Sequence, residues 1–216
     1  MLELSNIEIK GESMNLKVTD EFINICQGVN PFKLILSDGY RNAHIGTCLH
    51  NDPENRLYDF MAVKPLNATF DYQFRFEVDT TSKIIQRYDI VWVNTPNDIL
   101  LSQKVMQILN KLCPEEFQVF SATIECKDGV LDTYKAINIL NEFDVSDPEK
   151  RKIYYLTDNK TICGYERGGF IIRDQPMEPI HIARDAKFHP SIIISATLKE
   201  AFEKAKVKGC DYWAGD

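Results

Sequence analysis

The chain has 216 residues, 44% hydrophobic and 26% charged, and its 25 Lys/Arg against 32 Asp/Glu leave a net charge of −7. A chain of this length buries roughly 70% of the surface it exposes when unfolded, so its core needs no disulfide or metal staple, and so ordinary a composition argues against extended disorder. The acidic excess is spread over both halves, which argues against a nucleic-acid surface built from clustered Lys and Arg; the densest basic run, Lys150-Arg151-Lys152, follows acidic residues.

The opening MLELSNIEIKGESM carries acids and lacks an uninterrupted apolar core, so no secretory signal is expected. No run reaches the ~18 apolar residues of a membrane span. Cysteines at 26, 48, 113, 126, 163 and 210 form no CxxC pair, as expected of free thiols in a reducing cytoplasm.

The first third reads as β-rich. Leu2-x-Leu4 and Ile7-x-Ile9 alternate, and Phe32 to Leu36 form an apolar run. Phe70, Tyr72, Phe74, Phe76 and Val78 alternate with Asp71, Gln73, Arg75 and Glu77, which predicts a strand with one face on a core and one in solvent, the habit of antiparallel sheets. A boundary within Asp79 to Tyr88 divides the chain into a β-rich region, 1–87, and an α+β region, 88–216.

Asp89 to Val93 predict a strand, closed by the turn residues Asn94 to Asn97. Ser102 reads as the N-cap of a helix carrying Val105, Ile108, Leu109 and Leu112, which Cys113-Pro114 terminates. Phe117 to Cys126 predict a strand, Lys127-Asp128-Gly129 a hairpin turn, and Tyr134 to Phe143 a further strand. Ile153 to Leu156, Phe170 to Ile172, Ile180 to Ile182 and Ile192 to Ile194 are short apolar runs broken by Asn159, Gly168-Gly169 and prolines. Ser195 caps a final helix, with Leu198, Ala201, Phe202 and Ala205 inward, lysines near its end and Gly209 as its left-handed stop. Short strands with two or three helices, and no βαβ alternation, predict an α+β fold with a mostly antiparallel sheet.

No GxSxG elbow, Walker A loop or dinucleotide glycine pattern occurs. His44, Cys48 and His50 form an H-x3-C-x-H cluster without a fourth ligand, so no metal and no cofactor are expected. His181 alternates with Ile180 and Ile182 and points off their apolar face, while His189 precedes Pro190 in an expected loop; no local signature pairs either with a nucleophile. Asp52 with Glu54, Glu142 with Asp144 and Asp147 with Glu149 sit in polar runs that read as solvated loops or helix starts. Asp147-Pro148-Glu149 after Ser146 reads as a capped helical turn. No catalytic residue is assigned.

Several pieces of the C-terminal half occur in a known order. They are Asp98-Ile99-Leu100-Leu101-Ser102 before an amphipathic helix, Tyr134 to Leu140 leading to Asp144 and Asp147, Ile182-Ala183-Arg184, and Ile192 to Ser195 with its helix and Gly209. Over 88–216 the chain thereby resembles the bacterial immunity protein eleven family of polymorphic toxin and type VI secretion neighbourhoods. Ala183 replaces an aromatic expected before Arg184, and Arg151 stands where a serine is common. The resemblance implies a protein that binds and neutralises a cognate toxin of the same strain, encoded nearby, with no catalytic residues to carry over and shared positions that are structural. From composition and the motif search it is expected to be cytoplasmic and non-enzymatic, and to engage neither nucleic acid nor membrane.

Specificity is expected on loops of the unmatched first third, with Asp52, Glu54 and Asp59 as the partner-binding choice. The alternative is a small-ligand-binding protein or an enzyme with a nonlocal site, for which His44, Cys48 and His50 are the candidates.

Overall fold

A computed structural model describes residues 31–37, 40, 44–48, 62–66, 74–94, 99–155, 162–166, 169–173 and 175–214. Among them are fourteen strands and three α-helices. The strands are β1 (Phe32–Leu36), β2 (Thr47–Cys48), β3 (Phe74–Glu77), β4 (Ile90–Trp92), β5 (Ile99–Leu101), β6 (Phe117–Cys126), β7 (Gly129–Leu131), β8 (Lys135–Ile139), β9 (Glu142–Phe143), β10 (Ile153–Tyr155), β11 (Ile162–Tyr165), β12 (Ile182–Asp185), β13 (Phe188–Ile194) and β14 (Cys210–Trp213). The helices are α1 (Ser82–Ile85), α2 (Gln103–Leu112) and α3 (Ala196–Lys204). The fold is α+β, as expected.

One sheet runs β14-β1-β13-β12-β9, a second β2-β3-β6-β8-β5-β4 with β7 beside β6, and β10 and β11 form a separate pair. A bridge between Gly46 and Val93, with Gly46 N–H on the Trp92 carbonyl at 2.7 Å, joins the two ends of the second sheet. That sheet therefore closes on itself, which covers the outer edges of β2 and β4. A Cβ on Gly46 would lie 2.8 Å from Val93 Cγ1, so the seam requires a residue without one. Strands from either side of residue 87 share both sheets: β3 lies between β2 and β6, and β1 between β13 and β14.

The core has three clusters, and the alternation of strand side chains assigns residues to them. Phe74, Phe76, Val91, Leu100, Ile124 and Ala136 fill the closed sheet. Ile90, Ile99, Leu101, Ile137 and Ile139 point the other way and meet Leu34, Ile182, Ile192 and Ile194 of the first sheet, with Val105 and Leu109 of α2 and Leu198 and Phe202 of α3. Ala183 and Ile193 face a third cluster with Val145, Phe170, Ile172 and Met177. The unbroken runs Ile99-Leu100-Leu101 and Ile192-Ile193-Ile194 are thus strands buried on both faces.

Phe74, Phe76 and Val78 are buried and Arg75 and Glu77 exposed, as the alternation predicts; Phe70 to Gln73 lie outside the described residues. The pairing is mixed, because β3 is antiparallel to β2 but parallel to β6. The other parallel pair named is β9 with β12.

Ser102 and Ser195 accept the N–H of Val105 at 3.5 Å and of Leu198 at 3.1 Å as N-caps. α3 ends differently from the expectation. Lys206 takes the left-handed conformation (φ 52°), its N–H bonds the Glu203 carbonyl, and the Val207 N–H bonds that of Phe202, a Schellman stop without glycine. Gly209 has φ 104° and instead passes so close to β4 that a Cβ would sit 2.1 Å from the Ile90 carbonyl oxygen.

His189 and Pro190 lie in β13 rather than a loop. The β12–β13 register shifts between Arg184 and Asp185, and such an irregularity tolerates a proline that cannot donate to the ladder. Ile180 closes a turn before β12, and Phe170 to Ile172 make one bridge, Ser146 with Ile172, rather than a strand.

Candidate functional site

The acidic residues chosen from sequence, Asp52, Glu54 and Asp59, lie outside the described residues, as does His50. Cys48 ends β2. His44 is buried between the rings of Tyr40 and Tyr88, at centroid distances of 5.4 and 5.2 Å. The Tyr40 hydroxyl donates to the His44 carbonyl at 2.7 Å and accepts the Trp92 N–H at 3.1 Å. This side of the seam is thus packed by rings. Among the described residues no three His, Cys, Asp or Glu side chains converge as metal ligands.

The nearest approach to a nucleophile and base is Ser195 Oγ at 2.9 Å from His181 Nδ1. Ser195 is fully buried and already caps α3, and the carboxylate nearby, Glu116, accepts the backbone N–H groups of His181 and Ile182 at 2.8–3.1 Å. These three side chains fasten the start of β12 to the start of α3. Burial pushes the thiols of Cys113 and Cys210 up to about 12, with Glu116 adding to the rise at Cys113, so both stay protonated and unreactive. His189 Nε2 lies 2.8 Å from Glu142 Oε1, across the neighbouring strand.

The residues of the family resemblance hold the frame together. The Tyr134 hydroxyl reaches the carbonyls of Ile85 and Tyr88 at 3.0 and 2.7 Å, tying α1 to the closed sheet. Asn138 Nδ2 donates to the Lys64 carbonyl at 2.9 Å and to Gln118 Oε1 at 3.0 Å from within β8. Asp147 accepts the Glu149 N–H at 3.0 Å in the turn before β10, and that bond holds its carboxyl below the usual value.

Sequence reasoning missed a charged hub at the edge of the third cluster. Arg184 and Asp185 are fully buried. Arg184 donates to the His189 carbonyl at 2.7 Å. Asp185 accepts the Tyr165 hydroxyl at 2.6 Å and the Lys187 N–H at 3.0 Å. Burial pushes the Asp185 carboxyl above its ordinary value and outweighs the pull of those bonds and of Lys33. Burial also lowers Lys33, whose ammonium lies 5.0 Å from the Phe170 ring centroid. Asp144 accepts from Arg151 at 3.1 and 3.2 Å and from Ser146 at 3.2 Å, with Lys187 at 3.7 Å. The available signal was the adjacent Arg184-Asp185 pair inside a strand-like run: a buried charge requires partners.

The hub carries the β10–β11 hairpin. Tyr165, at the end of β11, packs edge-on against Phe170 and Phe188 while its hydroxyl holds Asp185. Lys152, just before β10, bonds through its backbone to Gly169 and Glu166, each at 2.9 Å, and a Cβ on Gly169 would lie 2.5 Å from the Lys152 oxygen. Tyr154 and Tyr155 are 44% and 47% exposed, and Tyr154 faces Gly164 across the ladder, so no side chain covers it from there. The register shifts between the two tyrosines, an irregularity that re-aims side chains, and both consecutive rings are left in solvent.

No curated protein matches the chain. The model of the immunity protein family Imm11 matches residues 41–216, which reaches well before the stretch that carried the resemblance and takes in the closed sheet with β2 and β3. Over four-fifths of its length, then, the sequence fits one family description, and the chain belongs to the Imm11 immunity protein family.

Proposed function

We propose that this protein binds a toxin made by its own strain and neutralises it by covering the toxin's working surface, without chemistry of its own. The family match over residues 41–216 carries the reading. The described nucleophile candidates support it, because Ser195 and His181 are engaged with each other at a helix cap and the Cys113 and Cys210 thiols are kept protonated by burial. In this reading the protein acts in the cytoplasm, beside a toxin of the polymorphic or type VI class encoded in the neighbouring reading frame. Occlusion of this kind buries about 1,200–2,000 Å² in total. With a net charge of −7, the acidic residues Asp52, Glu54 and Asp59 would meet a basic patch on the toxin and speed encounter more than they tighten the complex. The test is co-expression with that toxin. Growth should be rescued and the two chains should co-purify; failure of both removes the immunity reading.

A further inference from the structure

Lys64 to Leu66 are held against one end of the closed sheet, where β6 begins and β8 ends. Leu66 is buried in that sheet's cluster with Phe74 and Phe76, while Lys64 and Pro65 are exposed. Gln118 of β6 and Asn138 of β8 are register partners, and strand alternation points both to the side of Phe120, Ala122 and Ala136 in that cluster. Gln118 Oε1 accepts the Leu66 N–H at 2.7 Å, and its Nε2 donates to the Leu66 carbonyl at 3.2 Å. These are the two bonds that a neighbouring antiparallel strand would exchange with Leu66. Asn138 Nδ2 donates to the Lys64 carbonyl at 2.9 Å and braces Gln118 Oε1 at 3.0 Å. Among the described residues no backbone–backbone hydrogen bond reaches residues 62–66, so two side-chain amides and one leucine fasten the segment.

Two observations set strain against that fastening. Val63 has φ 50°, in the left-handed region that a β-branched residue rarely enters. The other described non-glycine residue of this kind, Lys206, is held there by the Schellman bonds of α3, and no comparable bonds among the described residues hold Val63. Asn138 is fully buried, both hydrogens of its amide are used, and its Oδ1 has no hydrogen-bond partner among the described residues. A buried carbonyl left unpaired loses its hydration without compensation. Both costs fall on the fastened arrangement. The first is relieved when Val63 returns to negative φ, and the second when Asn138 meets water. Strain of this kind collects at segments that switch.

We propose that residues 63–66 form a strained latch that opens locally, while the sheets stay folded. Opening bares the Gln118–Asn138 amide pair and the apolar interior of the closed sheet beside it. The latch goes beyond the immunity reading and does not depend on it.

Amide hydrogen exchange on the full chain reads the opening, because the Leu66 N–H to Gln118 bond is one that opening breaks. In the wild type the Leu66 amide should exchange roughly tenfold or more faster than the slowest amides of β6 and β8. Val63→Asn places in the left-handed region a residue that enters it readily, and should slow Leu66 exchange roughly fivefold. Gln118→Ala removes both bonds to Leu66 and the brace to Asn138, and should speed it roughly tenfold or more. Exchange of Leu66 as slow as the slowest sheet amides would mean that the segment opens only by global unfolding, and would overturn the latch. Unchanged or faster Leu66 exchange in Val63→Asn would overturn it too, since Val63 would then store nothing that favours opening. Unchanged exchange in a folded Gln118→Ala would remove the amide clamp and the proposal with it. Should that variant fail to fold, the wild-type and Val63→Asn rates decide.

Discussion

Two runs of this sequence look alike and end in opposite surroundings. Ile192-Ile193-Ile194 in β13 and Ile153-Tyr154-Tyr155 in β10 are both short, uncharged and β-prone. The isoleucines are at most 1% exposed, because β13 lies between β1 and β12 with a cluster on each face. The tyrosines are 44% and 47% exposed, because β10 has β11 as its named partner and a glycine across from Tyr154. Apolarity alone did not separate core from surface; the number of layers stacked on each strand did.

The largest test of that contrast is truncation at matched positions. Ile193→Ala or Leu100→Ala should cost about 2–5 kcal/mol, because each leaves a cavity in a two-sided core. Either loss would be measured by denaturant unfolding. Tyr155→Ala, in the same assay, should stay within about 0.5 kcal/mol. Comparable losses at both would mean that the hairpin belongs to the core.

Gly209→Ala is expected to cost more than about 1 kcal/mol, since φ of 104° and a Cβ 2.1 Å from the Ile90 oxygen leave it no compatible geometry. Ser195→Ala should cost about 1 kcal/mol through loss of the α3 cap, and should leave toxin neutralisation intact if that serine is purely structural.

The hub offers a pH test that separates it from the core clusters. Asp185 has its folded value raised above 3.8, chiefly by burial, so the folded state holds its proton where the unfolded chain has lost it. Stability contributed by this group is therefore present at low pH and falls as pH rises from about 3.8 through the raised value. Asp185→Asn removes that decline, and the stability curve of the variant should be flatter over this window. An unchanged slope would show that Asp185 titrates normally in the fold.

Much of the frame was legible because local physics and tertiary structure agree. The serine caps, the stop at Cys113-Pro114, the hairpin at Lys127-Asp128-Gly129 and the alternation through Phe74 to Val78 are set by neighbours in sequence. What was missed depends on partners far along the chain. Closure of the second sheet needs Gly46 beside Val93, and the parallel pairing of β3 depends on where β6 arrives. The stop at Lys206 shows a non-glycine residue held left-handed by two Schellman bonds, while Gly209 is reserved for a close approach no local pattern reveals. The hub was missed because its buried members Arg184 and Asp185 find their partners Tyr165, Lys187 and His189 only on folding, while Glu142 and Asp144 keep the solvent exposure their polar run implies. The acidic triplet Asp52, Glu54 and Asp59 lies beyond the described residues, so its place at the interface stands as a proposal.

The central claim is stoichiometric occlusion, and its most direct test is a titration of active toxin with the purified chain, followed by intact mass measurement of both proteins. The account predicts that toxin activity reaches zero at one chain per toxin, that the two form a single complex, and that both masses are unchanged. Neutralisation by a small fraction of an equivalent, with a change in the toxin's mass, would contradict it and make the protein an enzyme.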